Sequence, residues 1–386
     1  MLAYQVGHDS FKSKLSSPMD SKFSDCSPLL CQFIDRIEDV LTRDPLADLL
    51  ANRSLLHKDS FSERKVLMLT NDYDPEANLV GIALRNKGID FVRLSTNDIP
   101  SRIRMRYGIE QNSDLKLEFA IRKKSLDISK ISVVLLRNFD MNKIKFGTNE
   151  LARTFSFQQW VSALQILQSN LKCEWISSPQ ATLQASDRAK QLSVAKTVGF
   201  DIPATVITND PEAALDFYHS HGGDIVVKAL HHHNVQVQGK VYSMYTRRVL
   251  NHDLSKFDDL TYAPCILQQR VLRKSELRVT VVGEQVFAAI LDPQSSDGEG
   301  YDDIHRCLRR IFCMRVYDLP STIRERCTKL IRSLGLRYGA IDFILDKNDR
   351  LVFLEVNPTG DWNYIESQLS LPITKAMVNL IEDLMK

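Results

Sequence analysis

The sequence predicts an α/β protein of two or three domains, and three observations carry that expectation. The chain has 386 residues, and a domain ordinarily runs to about 100–150. From Lys65 onward, short apolar runs of strand length alternate with helical stretches, the order that builds sheets flanked by helices. Near the C-terminus, residues 339–358 read as a β-hairpin, with two alternating apolar runs flanking the turn formers Asn348 and Asp349. Composition is that of a globular protein, 44% hydrophobic and 25% charged. A formal net charge of +2 gives no mandate for nucleic acid or an acidic membrane. No run approaches the ~18 apolar residues of a membrane span, and no signal-peptide core is present at the N-terminus, so a cytoplasmic protein is expected. Seven cysteines without paired C-x-x-C spacing argue against both a disulfide framework and zinc.

Residues 1–62 read as an N-terminal extension. Residues 10–27 are polar and broken by proline; Leu29, Phe33, Ile34, Ile37, Val40, Leu41, Leu46, Leu49 and Leu50 then recur near helical spacing, interrupted at Pro45. The extension is expected to pack on a partner or on the body rather than to catalyse. Residues 63–185 read as a small α/β domain. Residues 66–70 form a buried strand, 76–87 a helix stopped by Gly88, and 90–94 the next strand, a doubly wound unit. No G-x-G-x-x-G follows the first strand, so nothing supports dinucleotide binding. Residues 115–121 and 133–137 add strands, and 158–171 a helix.

The next domain opens at 186, where Ser186 or Asp187 can cap a helix that Gly199 stops. Residues 202–208 form a strand, Pro211 starts a helix to His219, and Gly222-Gly223 turns into a strand, 224–230. Lys228 ends that mostly apolar strand. A cation there needs a partner, which a nucleotide phosphate would supply; the alternative is an edge lysine reaching solvent. Lys190 is either a second such cation or a solvated helix residue. His231, His232 and His233 are consecutive and cannot easily direct three imidazoles at one ion. Residues 231–240 therefore read as a polar loop of the kind that closes over substrates, followed by a strand at 241–246. Residues 264–271, 275–283 and 286–290 are strands, with Glu276 and Arg278 sharing one face of the second. An acidic loop leads to Asp302, Asp303, His305 and Arg306, and a helix, 324–334, ends at Gly335 before the hairpin.

If Asn348 and Asp349 form the loop, Asp342 falls opposite Glu355 and Ile344 opposite Phe353. Ile341, Phe343 and Leu345 then share the core face with Val352, Leu354 and Val356. Directly opposed residues lie about 4.5–5.5 Å apart at Cβ and like charges there repel, a pairing that a sequence selected for stability alone avoids. Asn357 projects from the same face as Glu355. Two carboxylates and a carboxamide are hard oxygen ligands that suit Mg²⁺; a solvated acidic pair at an exposed hairpin end is the alternative.

In order, the strand ending in Lys228, the Gln268-Gln269 strand, Glu276-x-Arg278, Asp342 and Glu355-x-Asn357 resemble the ATP-grasp superfamily. Phe353-Leu354-Glu355-Val356-Asn357-Pro358-x-Gly360-x-Trp362 is similar to the graspetide (microviridin-type) peptide ligases. So are Ile202-Pro203-x-Thr205, Glu276-Leu277-Arg278-Val279-x-Val281-x-Gly283, Leu371-Pro372-Ile373 and the Lys190 helix. RimK-like ligases are more distantly similar, and the resemblance covers about residues 64–386. It implies an ATP-grasp fold, two α+β subdomains (186–263 and 264–386) clamping ATP, preceded by the 63–185 domain and a partly helical extension. It implies Lys190 and Lys228 on nucleotide phosphates, Gln268 and the backbone near Val271 at the adenine, and Glu276 on ribose. Arg278 would neutralise the transferred phosphoryl group, Asp342, Glu355 and Asn357 would hold Mg²⁺, and residues 231–245 would form the lid. This branch often carries a compact Asp-aromatic-Arg motif. The nearest match is Asp302-Asp303-Ile304-His305-Arg306, with Ile304 in the aromatic's place and altered spacing, so Asp303 and Arg306 are the substrate-side candidates.

The activity implied is ATP-dependent ligation. Asp or Glu side chains of a precursor peptide with a leader segment become acylphosphates and are joined to Thr, Ser or Lys side chains as esters or amides. No nucleic acid or membrane partner is implied, and a homodimer is left open. The competing readings are a RimK-like or glutathione-synthetase-like ligase acting on a protein tail or small metabolite, and a non-catalytic nucleotide-binding regulatory protein. The chemistry needs no protein nucleophile, and the sequence shows no convincing Ser/His/Asp or Cys/His arrangement.

Overall fold

The computed structural model describes residues 4–6, 64–111, 113–141, 144, 146, 149–230, 234–237, 240–293 and 312–386. Nearly all of the 1–62 extension, the three consecutive histidines, Asp303 and Arg306 lie outside the described residues. The chain divides into two compact units, Met1–Phe61 with His232–Met244, and Ser62–His231 with Tyr245–Lys386. In the first, Lys240–Ser243 pairs antiparallel with both Tyr4–Val6 and Asn234–Val237. The stretch expected to be a lid loop thus contains a short hairpin.

The second unit begins with a parallel sheet. Its strands lie in the order Phe91–Ser95, Lys65–Thr70, Ile131–Leu136, Glu174–Ile176. Helix Pro75–Asn86 follows the first strand because Asp74 accepts the Ala77 N–H at 2.8 Å and Pro75 occupies the first turn. The expected 158–171 helix starts earlier, spanning Glu150–Asn170, where Asn149 caps it by accepting from Ala152 N at 2.7 Å.

A four-stranded antiparallel sheet follows, ordered Arg247–Arg248, Ile225–Lys228, Cys265–Gln269, Thr205–Thr208. The 265–269 strand, which the sequence places at the start of the C-terminal subdomain, hydrogen-bonds here. Its buried residues Cys265 and Leu267 pack with Ile225, Ala214 and Val249.

The largest sheet has five antiparallel strands, ordered Phe312–Val316, Gln285–Pro293, Arg273–Val282, Tyr338–Asp346, Leu351–Asn357. Alternation sends Leu277, Val279, Val281, Ile341 and Phe343 to one face, where they pack with helices Arg188–Thr197 and Ser321–Ser333. Each such side chain contributes roughly 1.5–3 kcal/mol on full burial. On the other face, Val282, Ala289 and Tyr338 join Trp362, Ile365 and helix Ile373–Met385, and this core runs on to Val66, Met68 and Val133 of the parallel sheet.

The hairpin departs from its expected register in two places. The turn is one residue longer: Asp346 N donates to Arg350 O, so residues 347–349 form the loop, and Asp349 adopts φ +59°. Phe343 therefore pairs with Phe353 and Ile344 with Val352, not with the expected partners. A bulge at Leu354 then restores the offset, and Asp342 pairs with Glu355 as the sequence suggested. Phe353, fully buried, takes the core position expected of Leu354, and its ring meets Phe343 edge-on at 6.0 Å.

Candidate active site

Three neighbouring strands of the five-stranded sheet carry one transverse row of charge. Arg278 is the register partner of Asp342, and Asp342 that of Glu355. Arg278 Nε lies 3.1 Å from Asp342 Oδ1. At the far end Arg188, in the first turn of its helix, brings Nη1 to 2.8 Å from Glu355 Oε2. The two acids are flanked by a guanidinium at each end of the row, which offsets the repulsion between them. Glu276 lies two residues before Arg278, on the same face, and forms an ion pair with Arg273. Asn357 pairs with Ala340, one row along, and its Oδ1 accepts from Thr359 N at 3.1 Å.

Arg278 is buried. Burial works against its charge, but Asp342, followed by Tyr364, Tyr338 and Glu355, outweighs it and raises the pKa above the ordinary arginine value. Its Nε and Nη1 nevertheless have no hydrogen-bond partner among the described residues; the contact with Asp342 is an ion pair outside hydrogen-bond geometry. Buried donors left unmade are costly, and a pair of them on a fixed cation fits an anionic group such as a phosphoryl oxygen. The oxygen donors of Asp342, Glu355 and Asn357 fit a hard divalent cation beside it. Gly360 lies against this row. A Cβ there would come within 2.6 Å of Ala340 Cβ and 3.4 Å of Arg278 Nη1, so only glycine lets the loop lie this close.

That loop is held from the parallel-sheet domain. Arg137, just past the strand Ile131–Leu136, is 1% exposed. Its guanidinium lies 3.3 Å from both Asp74 Oδ2 and Glu76 Oε2 and 3.1 Å from Asp361 Oδ1. It also donates to Gly360 O at 3.2 Å and stacks 4.3 Å from the Trp362 ring centroid. The Tyr338 hydroxyl donates to the same carbonyl. Glu76 Oε1 accepts from Trp362 N and Asn363 N, each at 3.0 Å. Burial pushes both carboxyls up and Arg137 pulls both down. Asp74, helped by the Ala77 amide, ends below its ordinary value, while Glu76 ends above it.

The remaining candidates lie elsewhere. Lys228 and Gln268 belong to the four-stranded sheet, where Val226 pairs with Gln268 and Lys228 with Ile266. Gln268 is buried and donates to Thr205 Oγ1 at 2.9 Å, and Val271 is half-buried just beyond the strand. Lys190 follows Arg188 by two positions, about 200° around the helix, so the two cannot face one point together. Among the described residues the structure thus unites Arg278, Asp342 and Glu355, with Glu276 and Asn357 on the same face. Arg188, Gln191, Arg137 and Gly360 join the site without a role that sequence spacing assigns them. Only Gly360 had a local signal, inside the Asn-Pro-x-Gly-x-Trp string.

Residues 185–381 match the profile of the RimK-like ATP-grasp domain family. A probable alpha-L-glutamate ligase of Xanthomonas oryzae pv. oryzae (strain MAFF 311018) is 26% identical over 204 residues, 52% of this chain and 66% of the relative, so the match spans just under two thirds of its length. One from Stenotrophomonas maltophilia (strain K279a) is 26% identical over 210 residues, 53% of this chain and 68% of that one. Among solved structures, macrocyclase MdnC of Microcystis aeruginosa MRC, bound with precursor peptide MdnA, superposes with a TM-score of 0.72 at 27% identity, over 83% of this chain and 99% of that one. A RiPP-associated ATP-grasp ligase of Chryseobacterium gregarium, in complex with ADP and a leader and core peptide, gives 0.74 at 24% identity, over 83% and 97%, a likeness of fold. No helix among the described residues is long and apolar enough to cross a membrane.

Proposed function

This chain belongs to the RimK-like ATP-grasp domain family, and from that premise we propose that it is an ADP-forming ligase that macrocyclises a precursor peptide. The observation that carries the reading is Arg278: a buried, permanently charged guanidinium whose Nε and Nη1 make no hydrogen bond among the described residues, set in one row with Asp342 and Glu355. The likeness to MdnC over nearly the whole of that macrocyclase favours a peptide carboxylate as the substrate.

A carboxylate is a poor acyl donor. Transfer of the γ-phosphoryl group of ATP to a substrate carboxylate oxygen releases ADP and leaves an acylphosphate; attack by a hydroxyl or amine then expels phosphate and forms the ester or amide. Arg278 stabilises charge spread over the phosphoryl oxygens as it passes. Asp342, Glu355 and Asn357 would hold Mg²⁺, which would offset phosphate charge. Lys190 and Lys228 contact nucleotide phosphates, Gln268 and the backbone near Val271 face the adenine, and Glu276 takes the ribose. A homodimer gains no argument from these observations.

Mass spectrometry of a co-expressed candidate peptide rich in Thr, Asp and Glu tests the reading. One water lost per bond, dependent on the ligase, is expected; an unmodified peptide beside an enzyme that turns over ATP with a free amino acid overturns it. That outcome would instead support glutamate-ligase chemistry, which the two named curated relatives favour. Nucleotide binding without ADP release would remove both and leave a regulatory binder.

A further inference from the structure

We propose that Gln191 is a positioning residue that fixes Glu355 and Asn357 relative to each other and so sets the affinity of the site for a divalent cation; this rests on the metal reading given above. Leu351–Asn357 is the last strand of its sheet. Along such a strand, backbone groups point alternately toward the neighbouring strand and away from it. Val356, between the two oxygen donors, turns its N–H and C=O outward to the Gln191 side chain. Val356 N donates to Gln191 Oε1 at 2.9 Å, and Gln191 Nε2 donates to Val356 O at 2.8 Å. The amide therefore exchanges two bonds with Val356 as a residue of a sixth strand would. Its second Nε2 hydrogen goes to Ala185 O at 2.6 Å, so both donors are used and the acceptor is engaged. Gln191 is 1% exposed.

Placement separates this from ordinary satisfaction of a buried amide. The bulge at Leu354 lies immediately before Glu355, at a point where an extra residue has already shifted the ladder. Gln191 pins the strand on the far side of Glu355. It also lies one turn beyond Arg188 on the same helix face, and Arg188 Nη1 reaches its Oε1 at 3.4 Å. One amide thus sets the register of the donor strand and of the arginine that pairs with Glu355. Mg²⁺ demands near-ideal octahedral geometry at about 2.0–2.1 Å, which makes the site intolerant of a small strand shift.

The test titrates Mn²⁺, as a spectroscopic stand-in for Mg²⁺, into the full-length protein with ADP and follows free ion by electron paramagnetic resonance. Gln191→Met is expected to weaken Mn²⁺ binding about 10–100-fold, the usual cost of losing a group that orients metal ligands. ADP affinity measured in EDTA should stay near the wild-type value. Gln191→Met with wild-type Mn²⁺ affinity, while Glu355→Gln loses it, overturns the inference and spares the metal reading. Wild-type protein that takes up no Mn²⁺ overturns both. Circular dichroism checks folding. Should the methionine variant misfold, Gln191→Asn, which keeps a buried amide but retracts it by one methylene, is judged by the same criteria.

Discussion

Asp342 stands across from Glu355 because two one-residue offsets in their hairpin cancel, one in the turn at 347–349 and one at Leu354. The pairing that matters is therefore held at two separated points. The turn end depends on Asp346, whose Oδ1 accepts from Asn348 N at 2.8 Å and Arg350 N at 2.9 Å, while Oδ2 accepts from Arg350 Nε at 2.9 Å.

Asp346→Asn should lower the melting temperature and, if the offsets are linked, lower turnover with it. The Arg350 amide, ahead of its guanidinium and the Asn348 amide, holds the Asp346 carboxyl below its ordinary 3.8. A depressed native pKa gives stability that is present above the ordinary value and lost as pH falls through the native one. The gap in melting temperature between wild type and variant should stay constant through neutral pH and close only on acidification below 3.8. A gap that changes between pH 6 and 8 would assign it to another group.

Glu355→Gln separates chemistry from folding. The Arg188–Glu355 pair is about a third exposed at each partner, 28% and 33%, and such pairs are worth roughly 0–1 kcal/mol. Stability should change little, while ADP release falls at least about 100-fold, the scale of losing one charge-stabilising group. Coupled-enzyme assay of ADP beside a thermal melt reads both. Full turnover in the variant would remove Glu355 from the mechanism.

Arg137→Met should be the most destabilising of these changes, by about 3–5 kcal/mol, because it leaves buried carboxylates unpaired. Without the guanidinium, the native pKa values of Asp74 and Glu76 both rise. The folded state then binds more protons than the unfolded one, so stability falls as pH rises. Urea denaturation should show a larger deficit at pH 8 than at pH 5; an equal deficit at both would mean that the acids are not held as charges.

Thiol labelling checks the packing independently. Burial pushes the thiols of Cys173 and Cys265 up to about 11 and that of Cys327 to about 12, whereas Cys313 is exposed. A thiol raised to 11 is only about 0.1% thiolate at pH 8, and the thiolate is the reactive form. Ellman's reagent at pH 8 should modify Cys313 in the native protein and reach Cys173, Cys265 and Cys327 only on unfolding, with the sites mapped by peptide mass.

The strands were legible because period-two alternation is a local property, and the acids because two like charges in register are conspicuous. Their register came out right although the turn and the bulge were each missed; neither leaves a mark that separates a two-residue loop from a three-residue one. The helix at Glu150–Asn170 begins eight residues before the start that periodicity predicts, because Leu151 and Phe155, in its first turns, are exposed and break the apolar pattern. Arg188, Gln191 and Arg137 were illegible for a different reason. Their partners lie far along the chain, 165 residues from Gln191 to Val356 and 223 from Arg137 to Gly360, and pairings at that range have no spacing to reveal them.

Arg137 and its acids also set a rule for anyone recombining this chain with its relatives. A chimaera that grafts a foreign amino-terminal half onto the carboxy-terminal half severs a salt-bridged joint whose members sit on both sides of the cut, at 74, 76 and 137 on one and 361 on the other. The graft will inherit a stranded charge unless the whole quartet is transplanted together.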